Sequence, residues 1–500
     1  MLGTFDGLLR DPGPEAHPLW LSRQAGYRSL GGATEDCILC PVNPGLTPRL
    51  LLLLALAGCP GAPPATDTAA SDGPVTDRSP GDSTPDALLD ALYDEVQAYL
   101  TAEDPGPNPV LLGRLDTVYR DVPFAEVARA VRDVAPATWP GTGVHQHSWV
   151  NPFYGGTETY HVYVPPTLSS NTTTRRFPLL IFLHGAGGDG ANVVGEAAVR
   201  QAAEALGTIL VAPTSNPKCD WNQLEECMSQ TVMLVQHLKR RYPVDDDRVV
   251  LSGFSMGGRG SFSVGVAYPE PYCGVVPVAG SIGAVHNTSD LGFHKAYCCP
   301  HTENVFNLRL HYISGALDMA LMLYQNRGCA LCLEGQGADF VYTELPGQGH
   351  VWPLDTWQQA VAWALQRPRE PYPARVVYHL ATQASAILPD DLWLQQTLRV
   401  PQYWADIELR RDPSRPARIE ARRDGNRIWI TSTNVARVGL YLADSQLDLR
   451  QPVQVYSRER LLLSSHVRRD RRLLLTEARR RSERSMIFAA RLTLQLDEGS

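Results

Sequence analysis

The sequence predicts an α/β fold with a mostly parallel sheet covered by helices on both faces, followed by a β-sandwich-like C-terminal domain. Between residues 160 and 365, short apolar runs alternate with longer helical stretches. Strands that are apolar throughout are typical of a parallel sheet buried on both sides. Beyond a proline-rich stretch at 367–373, short β-like runs recur instead, with a hairpin signal at Asp424-Gly425.

Composition places the chain among ordinary globular proteins. It has 500 residues, of which 44% are hydrophobic and 20% charged, with a formal net charge of -8. This length predicts about two to four domains. This net negative charge gives no reason to expect a nucleic-acid partner.

The first 59 residues look like a targeting segment. The leucine run that begins at Leu50 is too short to span a bilayer but suits a secretory signal, and Leu56-Ala57-Gly58-Cys59 resembles the bacterial lipobox. We therefore expect a lipoprotein anchored through Cys59. Residues 1–41 would then be an over-extended start, with Val42 as a possible initiator, and Cys37 and Cys40 would be absent from the folded protein. The alternative is a buried apolar helix with an incidental cysteine.

The remaining chain divides into four expected parts. Residues 60–83 are rich in Pro, Ala, Thr and Asp and predict a disordered tether. Residues 84–140 predict a small helical module, because Thr84-Pro85 is a helix start and apolar residues follow at helical spacing. Residues 141–372 form the α/β domain, and residues 373–500 form the β-rich domain.

Individual elements follow from the period of the apolar residues. Strands of the α/β domain are expected at 160–164, 179–183, 208–212, 249–251, 275–278, 308–314 and 340–345, and helices at 193–206, 228–241, 256–268 and 356–365. The C-terminal β runs are expected at 376–380, 403–409, 427–431, 438–442, 452–456 and 488–496. The arginines at 468, 469, 471, 472 and 479–481 favour a solvated face over a binding site for an acidic polymer.

Cysteines after Cys59 cluster in the α/β domain, which favours disulfides in an exported protein. Cys219 could pair with Cys227, and Cys298 and Cys299 could pair with Cys329 and Cys332, while sequence leaves the connectivity open. Cys273 is then the odd residue, buried as a small hydrophobe. A zinc site on the Cys298-Cys299-Pro300-His301 and Cys329-x-x-Cys332 segments is the less favoured alternative.

The strongest motif is Gly253-Phe254-Ser255-Met256-Gly257, which lies between a predicted strand and a predicted helix. Strand, sharp turn and helix in this order are what a nucleophile elbow requires. The glycines suit it because the two backbones pass close on either side of the serine. We therefore expect Ser255 to be a nucleophile.

A serine hydroxyl needs a base, and the base needs an acid. His350 follows two glycines on the loop after the last strand of the α/β domain, where a base can move and turn. Asp318 follows the preceding strand, and the chain order Ser, Asp, His is the one that this kind of site uses. Asp339 and Asp355 are alternatives for the acid, but Asp339 precedes its strand and would lie at the wrong end of the sheet.

A glycine-rich loop supplies the last part of the expected site. His184-Gly185-Ala186-Gly187-Gly188 follows the strand at 179–183 and could place an N–H of Ala186 or Gly187 near a substrate oxygen, with the N–H of Met256 as the second donor. A phosphate-binding loop is the alternative, but it would end in Lys-Ser/Thr, which is missing here.

Together, His-Gly-x-Gly-Gly, Gly-Phe-Ser-Met-Gly-Gly, Asp318 and His350 resemble the α/β-hydrolases of the secreted esterase group. These are feruloyl esterases, polyhydroxybutyrate-depolymerase-like esterases and the related prolyl-oligopeptidase-like hydrolases. The resemblance covers about residues 149–372 and implies an α/β-hydrolase fold, a Ser255–His350–Asp318 triad, and oxyanion donors at Ala186 and Met256. It departs at Met319-Ala320-Leu321-Met322-Leu323, where many relatives have a more polar loop.

The expected function is an exported, lipid-anchored serine hydrolase of the bacterial cell envelope that cleaves carboxylic esters of small molecules or polymers. It needs neither a metal nor an organic cofactor. The alternatives are a serine peptidase on the same fold and a non-catalytic binding protein that keeps the scaffold. The sequence does not indicate the oligomeric state.

Overall fold

The computed structural model describes residues 85–497, except for 103–107, 136–138, 140, 153–154, 169–174, 216–220, 222–224, 281–297, 300–301 and 381–400. Cys37, Cys40, Val42 and Cys59 lie outside this range, so the signal segment and the anchor stay predictions. Cys219 is also outside it, and the pairing of Cys219 with Cys227 therefore stays a prediction too.

An eight-stranded sheet organises the centre of the molecule. Its strands are β1 (Gly143–Val150), β2 (Thr157–Val164), β3 (Phe177–Leu183), β4 (Ile209–Pro213), β5 (Val244–Phe254), β6 (Gly274–Val278), β7 (Arg309–Gly315) and β8 (Phe340–Leu345). They run in the order β1-β2-β4-β3-β5-β6-β7-β8. The pairs β1–β2 and β2–β4 are antiparallel and the others are parallel. This order is that of the α/β-hydrolase fold, which confirms the predicted fold class.

Helices cover both faces of this sheet, as predicted. They are α4 (Gly190–Gly195), α5 (Ala197–Leu206), α6 (Glu225–Arg241), α7 (Met256–Ala267), α8 (Ala320–Gln336) and α9 (Leu354–Leu365). Apolar residues of α6, α7 and α8 form one core against the sheet, and those of α4, α5 and α9 form a second core on the other face. Strands such as β4, which is buried at all five positions, therefore read as continuous apolar runs.

Three further helices precede the sheet: α1 (Pro85–Thr101), α2 (Pro109–Asp116) and α3 (Phe124–Asp133). Asn108 caps α2, because its side chain accepts hydrogen bonds from the N–H groups of Val110 and Leu111. The three helices share a hydrophobic core with α10 (Arg471–Arg481), which comes from the far end of the chain. The N-terminal helices therefore bury their apolar faces against a C-terminal element.

The C-terminal region has the expected two-sheet architecture. The strands are β9 (Arg375–Leu380), β10 (Ala405–Arg410), β11 (Ala417–Asp424), β12 (Arg427–Thr433), β13 (Val435–Leu442), β14 (Val453–Ser457), β15 (Arg460–Ser465) and β16 (Ala490–Gln495). One sheet has the order β15-β14-β12-β11-β9 and the other the order β10-β13-β16. The two sheets share one core. Asp424 pairs with Arg427 in the β11–β12 hairpin, as the Asp-Gly signal predicts.

The prediction of a solvated arginine face is wrong in part. Arg468, Arg469 and Arg472 are exposed, but Arg479 and Arg481 are only 3% and 4% exposed. Arg479 donates to the carbonyl oxygen of Leu100, and Arg481 donates to Glu270 at 2.5 Å. These arginines lie on the inner side of α10, where carboxylates and a helix end replace water.

A buried set of charges joins the start of β5 to the segment after α10. Arg484 donates to both carboxylate oxygens of Asp246, at 2.6 and 3.0 Å. Arg369 bridges Asp247 and Glu483, each at 2.7 Å, and its side chain is fully buried. Lys239 also contacts Glu483. Burial would raise the pKa of Glu483, but the charges of Arg369 and Lys239 hold it below its usual value. We call these six residues the buried charge network.

Two disulfides, Cys298–Cys329 and Cys299–Cys332, tie residues 298–299 to α8. Their sulfurs are therefore not thiolates that could hold zinc, and the expected pairing of the two cysteine groups is confirmed. Cys273 is a free, buried cysteine, also as expected. Two disulfides are typical of a protein from an oxidising compartment. Within the described residues, none of the helices has the length and apolar content needed to cross a bilayer.

The buried charge network predicts that Glu483→Gln is strongly destabilising. The change leaves the cations of Arg369 and Lys239 buried with one carboxylate fewer, and losing one partner of a buried pair costs about 3–5 kcal/mol. Chemical denaturation followed by circular dichroism measures the loss. The matched control is Asp497→Asn, because Asp497 pairs with Arg460 on the surface, where both side chains are at least 67% exposed. Equal stability of the two variants would contradict the role of the network.

Partly buried imidazoles beside β1 predict a loss of stability in acid. Burial lowers the pKa of His237 to about 3, and the charges of Arg240 and Arg241 and the ring of His147 add to this. In the unfolded chain a histidine is protonated near pH 6.5. The free energy of unfolding is therefore unaffected by His237 above about pH 6.5, and it falls by about 1.4 kcal/mol per pH unit as the pH drops from there towards 3.

In His237→Gln this part of the pH dependence should disappear, since an amide can still form a hydrogen bond with the Tyr160 hydroxyl, which lies 3.0 Å from His237 Nε2. Melting temperatures between pH 8 and pH 5 test this. The exposed His466 supplies the control variant, His466→Gln. If His237→Gln and the wild type lose stability in parallel below pH 6.5, the interpretation is wrong.

Candidate active site

Ser255 lies on the sharp turn between β5 and α7. Its backbone angles are φ 56° and ψ -114°, a conformation that residues with a side chain rarely adopt. The N–H of Ser255 donates to the carbonyl oxygen of Val278 at 2.9 Å, which fixes the turn to the end of β6. Strand, turn and helix occur in the order that the sequence motif predicts.

The glycines on either side of Ser255 are required by close backbone packing. A Cβ atom on Gly257 would lie 1.9 Å from the carbonyl oxygen of Leu183, and one on Gly253 would lie 2.3 Å from the carbonyl oxygen of Gly257. Any side chain at either position would therefore force β3, β5 and α7 apart.

His350 reaches the serine from the loop after β8. Its Nε2 lies 2.8 Å from Ser255 Oγ, and its Nδ1 lies 3.0 and 3.2 Å from the two carboxylate oxygens of Asp318. A carboxylate only accepts hydrogen bonds, so Nδ1 carries the proton and Nε2 is free to accept from the serine hydroxyl. The three predicted residues thus form one continuous chain of hydrogen bonds.

Asp318 is fixed by its surroundings. Its side chain is 0% exposed, and one carboxylate oxygen accepts a hydrogen bond from the N–H of Met319 at 2.7 Å. The loops that carry Asp318 and His350 are joined, since the N–H of Leu317 donates to the carbonyl oxygen of Gln348 at 2.7 Å. A buried carboxylate at this distance stabilises an imidazolium and holds the ring in one tautomer.

The alternative acids lie elsewhere. Asp339 precedes β8 and forms ion pairs with Arg309 and Arg367, at 3.2 and 3.0 Å. Asp355 is exposed in the first turn of α9. The hydrogen bonds of His350 go to Asp318 instead.

The glycine-rich loop after β3 passes beside the elbow. A Cβ atom on Gly185 would lie 3.5 Å from Cβ of Ser255, and the N–H of Gly188 donates to the carbonyl oxygen of Gly185 to close a turn around Ala186 and Gly187. Gly187 has φ 77°, which favours glycine. Met256 is the first residue of α7, and N–H groups in the first turn of a helix have no partner within it. The expected oxyanion donors therefore lie on two segments next to Ser255.

His184 is a residue whose role the sequence did not reveal. The N–H of Ser215 donates to its Nε2 at 3.0 Å, so the proton is on Nδ1, which donates to the carbonyl oxygen of Gly185 at 2.8 Å. Trp221 donates to the carbonyl oxygen of His184 at 3.0 Å. Burial lowers the pKa of His184 and keeps the ring neutral. His184 thus positions the glycine-rich loop.

Asn326 is a second such residue. It lies buried on α8, where its Nδ2 donates to the carbonyl oxygen of Gly280 at 3.1 Å and its Oδ1 accepts from Tyr312 at 2.9 Å. Gly280 follows the end of β6, which holds the N–H of Ser255. Sequence reasoning could have found Asn326 only by recognising α8 as a helix with a polar inner position.

Comparisons with known proteins give structural neighbours and nothing at the level of sequence families. No family model and no curated protein matches the chain. Among solved structures, a thermostable esterase is 20% identical over 45% of this chain, with a TM-score of 0.37. A ferulic acid esterase is 18% identical over 46% of this chain and 99% of its own, with a TM-score of 0.38.

An S-formylglutathione hydrolase from Agrobacterium tumefaciens is 18% identical over 47% of this chain and 98% of its own, with a TM-score of 0.36. The chain spans 63% of the length of the thermostable esterase. What the chain does therefore has to be inferred from its own residues.

The packing at the elbow predicts that Gly257→Ala unfolds or severely destabilises the protein. The added methyl group would meet the backbone of β3, which cannot turn away as a flexible side chain could, so we expect a loss of about 3 kcal/mol or more. Gly113→Ala in α2 is the matched control, since a Cβ there meets nothing within 4 Å. It should stabilise the protein by about 0.5–1 kcal/mol. Thermal unfolding compares the two, and a Gly257→Ala protein with wild-type stability would show that the elbow is looser than described.

Proposed function

We propose that the chain is a serine hydrolase that cleaves carboxylic esters through an acyl-enzyme intermediate. The observation that carries the proposal is the hydrogen-bonded series from Ser255 Oγ to His350 Nε2 at 2.8 Å and from His350 Nδ1 to Asp318 at 3.0 Å. Nucleophile, base and acid in this order are what acyl transfer requires.

In the first half-reaction Ser255 Oγ attacks the ester carbonyl while its proton moves to His350 Nε2. The negative charge that forms on the carbonyl oxygen is accepted by the N–H groups of Met256 and of Ala186 or Gly187. Asp318 stabilises the imidazolium. The C–O bond to the alcohol then breaks, His350 returns its proton to the leaving oxygen, and the acyl group remains on Ser255.

In the second half-reaction a water molecule replaces the alcohol. His350 Nε2 takes a proton from this water as the oxygen attacks the acyl carbon, and the same N–H groups accept the second oxyanion. When the intermediate collapses, the proton returns to Ser255 Oγ and the carboxylic acid leaves. Every proton transfer in the cycle goes to or from His350 Nε2.

Export to an oxidising compartment belongs to the same proposal. The Cys298–Cys329 and Cys299–Cys332 disulfides support it, because such bonds are rare in reducing compartments. We propose further that Cys59 carries a lipid that holds the enzyme at the bacterial cell envelope, with the segment at 60–83 as the tether. Loss of labelled palmitate in Cys59→Ala, with the label kept in the wild type, would test the anchor.

The proposal predicts that a fluorophosphonate probe labels the wild type and fails to label Ser255→Ala. The probe needs an activated serine, so His350→Ala should also label far more slowly. Hydrolysis of p-nitrophenyl acetate by Ser255→Ala should fall about a thousandfold or more in kcat. Ser414→Ala, a change at an exposed serine, is the control and should behave as the wild type.

Two results would count against the proposal. Equal absence of labelling in the wild type and in Ser255→Ala would favour a binding protein on a hydrolase scaffold. Faster cleavage of peptide anilides than of p-nitrophenyl acetate would favour a peptidase.

A further inference from the structure

Three large apolar side chains lie exposed beside the catalytic loops. Leu317 and Met319 flank Asp318 in the chain and are 70% and 59% exposed, and Val351 follows His350 and is 44% exposed. We call these three residues the apolar rim. Single exposed hydrophobic residues are normal on a protein surface, but here they adjoin both the acid and the base of one site.

The backbone holds the rim together. The N–H of Leu317 donates to the carbonyl oxygen of Gln348 at 2.7 Å, and the N–H of Val351 donates to the carbonyl oxygen of Gly349 at 3.0 Å. A Cβ atom on Gly315 would lie 2.2 Å from the carbonyl oxygen of Gly349, so the two loops touch at their bases as well. The rim is therefore carried by two joined loops whose positions are fixed by the triad.

Packing in the hydrophobic core does not explain why the side chains of the apolar rim are exposed. Asp318, between two rim residues, has a side chain that is 0% exposed, so the loop turns its carboxylate inwards and its two apolar neighbours towards solvent. Leaving a leucine and a methionine in water forgoes the free energy of burying them. Such exposure beside a reactive site indicates that the substrate covers these side chains.

The mechanism decides which part of an ester lies there. In the proposed reaction the carbonyl oxygen faces the N–H groups of Met256 and of the loop that contains Ala186. The leaving oxygen must face His350 Nε2, which returns the proton to it. The loops of His350 and Asp318 are thus on the alcohol side of the scissile bond, away from the glycine-rich loop.

We propose that the apolar rim binds the alcohol portion of the substrate, so that the preferred substrates are carboxylic esters of extended apolar alcohols. This inference rests on the proposed function and adds the substrate class. Leu317, Met319 and Val351 determine specificity and take no part in the proton transfers. Contact with the rim removes methylene groups of the alcohol from water, each worth up to about a fourfold gain in kcat/KM when fully buried.

The test varies the alcohol while the acyl group stays constant. Ethyl, butyl and hexyl acetate have leaving groups of similar acidity, so differences in kcat/KM report contact with the alkyl chain. For the wild type we expect kcat/KM to rise about tenfold from ethyl to hexyl acetate. In the triple variant Leu317→Asn, Met319→Gln and Val351→Thr, which nearly preserves side-chain size, this rise should vanish, so that ethyl and hexyl acetate are cleaved with similar kcat/KM.

Two comparisons make the test selective. Leu461→Asn and Val150→Thr change exposed apolar residues away from the triad loops, at 48% and 61% exposure, and should leave the chain-length dependence intact. Ethyl hexanoate against ethyl acetate measures the acyl side, which the rim variant should not affect. A rim variant that loses the preference for a long acyl chain instead, or keeps the preference for hexyl acetate, overturns the proposal.

Failure of the proposed function gives a different result. If none of the acetates is cleaved and the fluorophosphonate does not label Ser255, the hydrolase assignment itself is wrong. If the probe labels Ser255 and all three acetates are cleaved at equal rates by the wild type, only the role of the rim is wrong.

Discussion

Close backbone packing at Ser255 is the constraint on which the site depends. Gly257 lies against the end of β3, and a Cβ atom on Gly258 would lie 2.3 Å from the carbonyl oxygen of Val278, which also accepts from the N–H of Ser255. The ends of β3, β5 and β6 thereby pack so closely that no side chain larger than that of glycine fits between them. Because the glycine-rich loop continues from β3 and the serine from β5, the same packing sets the distance between the nucleophile and the expected oxyanion donors.

The opposite end of β5 is fixed by charge. Asp246 and Asp247 lie near the start of the strand and pair with Arg484 and Arg369, while Glu483 pairs with both Arg369 and Lys239. Buried ion pairs of this kind contribute less to stability than apolar residues of the same size would, but they are costly to separate. The network thus makes the eight-stranded sheet and the segment after α10 dependent on each other. Because α10 also shares a hydrophobic core with α1, α2 and α3, the packing of the N-terminal helices depends on this network as well.

Sequence predicted those parts of the fold whose apolar pattern matches their burial. The parallel strands can be recognised because both of their faces are covered. The proximity of Ser255, Asp318 and His350 can be predicted because each follows a strand at the same edge of the sheet. The pattern failed for β1, where histidine, glutamine and serine alternate on an edge strand with one exposed face. It failed for α8, whose inner face carries Gln325 and Asn326 among apolar residues. It failed again for α10, where Arg479 and Arg481 fill the buried side, because the hydrogen-bond acceptors on Leu100 and Glu270 lie far away in sequence.

The missed helix α8 explains how Asp318 is held in place. The helix begins two residues after Asp318, and its length carries both disulfide partners of residues 298 and 299. Asn326 lies on this helix between its first residue and these cysteines. It donates to the carbonyl oxygen of Gly280, which follows β6. A shift of α8 along its axis would therefore move Asp318 and break the hydrogen bond to the segment that anchors Ser255. Disulfides at the far part of the helix oppose such a shift at the loop that carries the acid. In this arrangement the two disulfides support the hydrogen-bond geometry of Ser255, His350 and Asp318 as well as the stability of the fold.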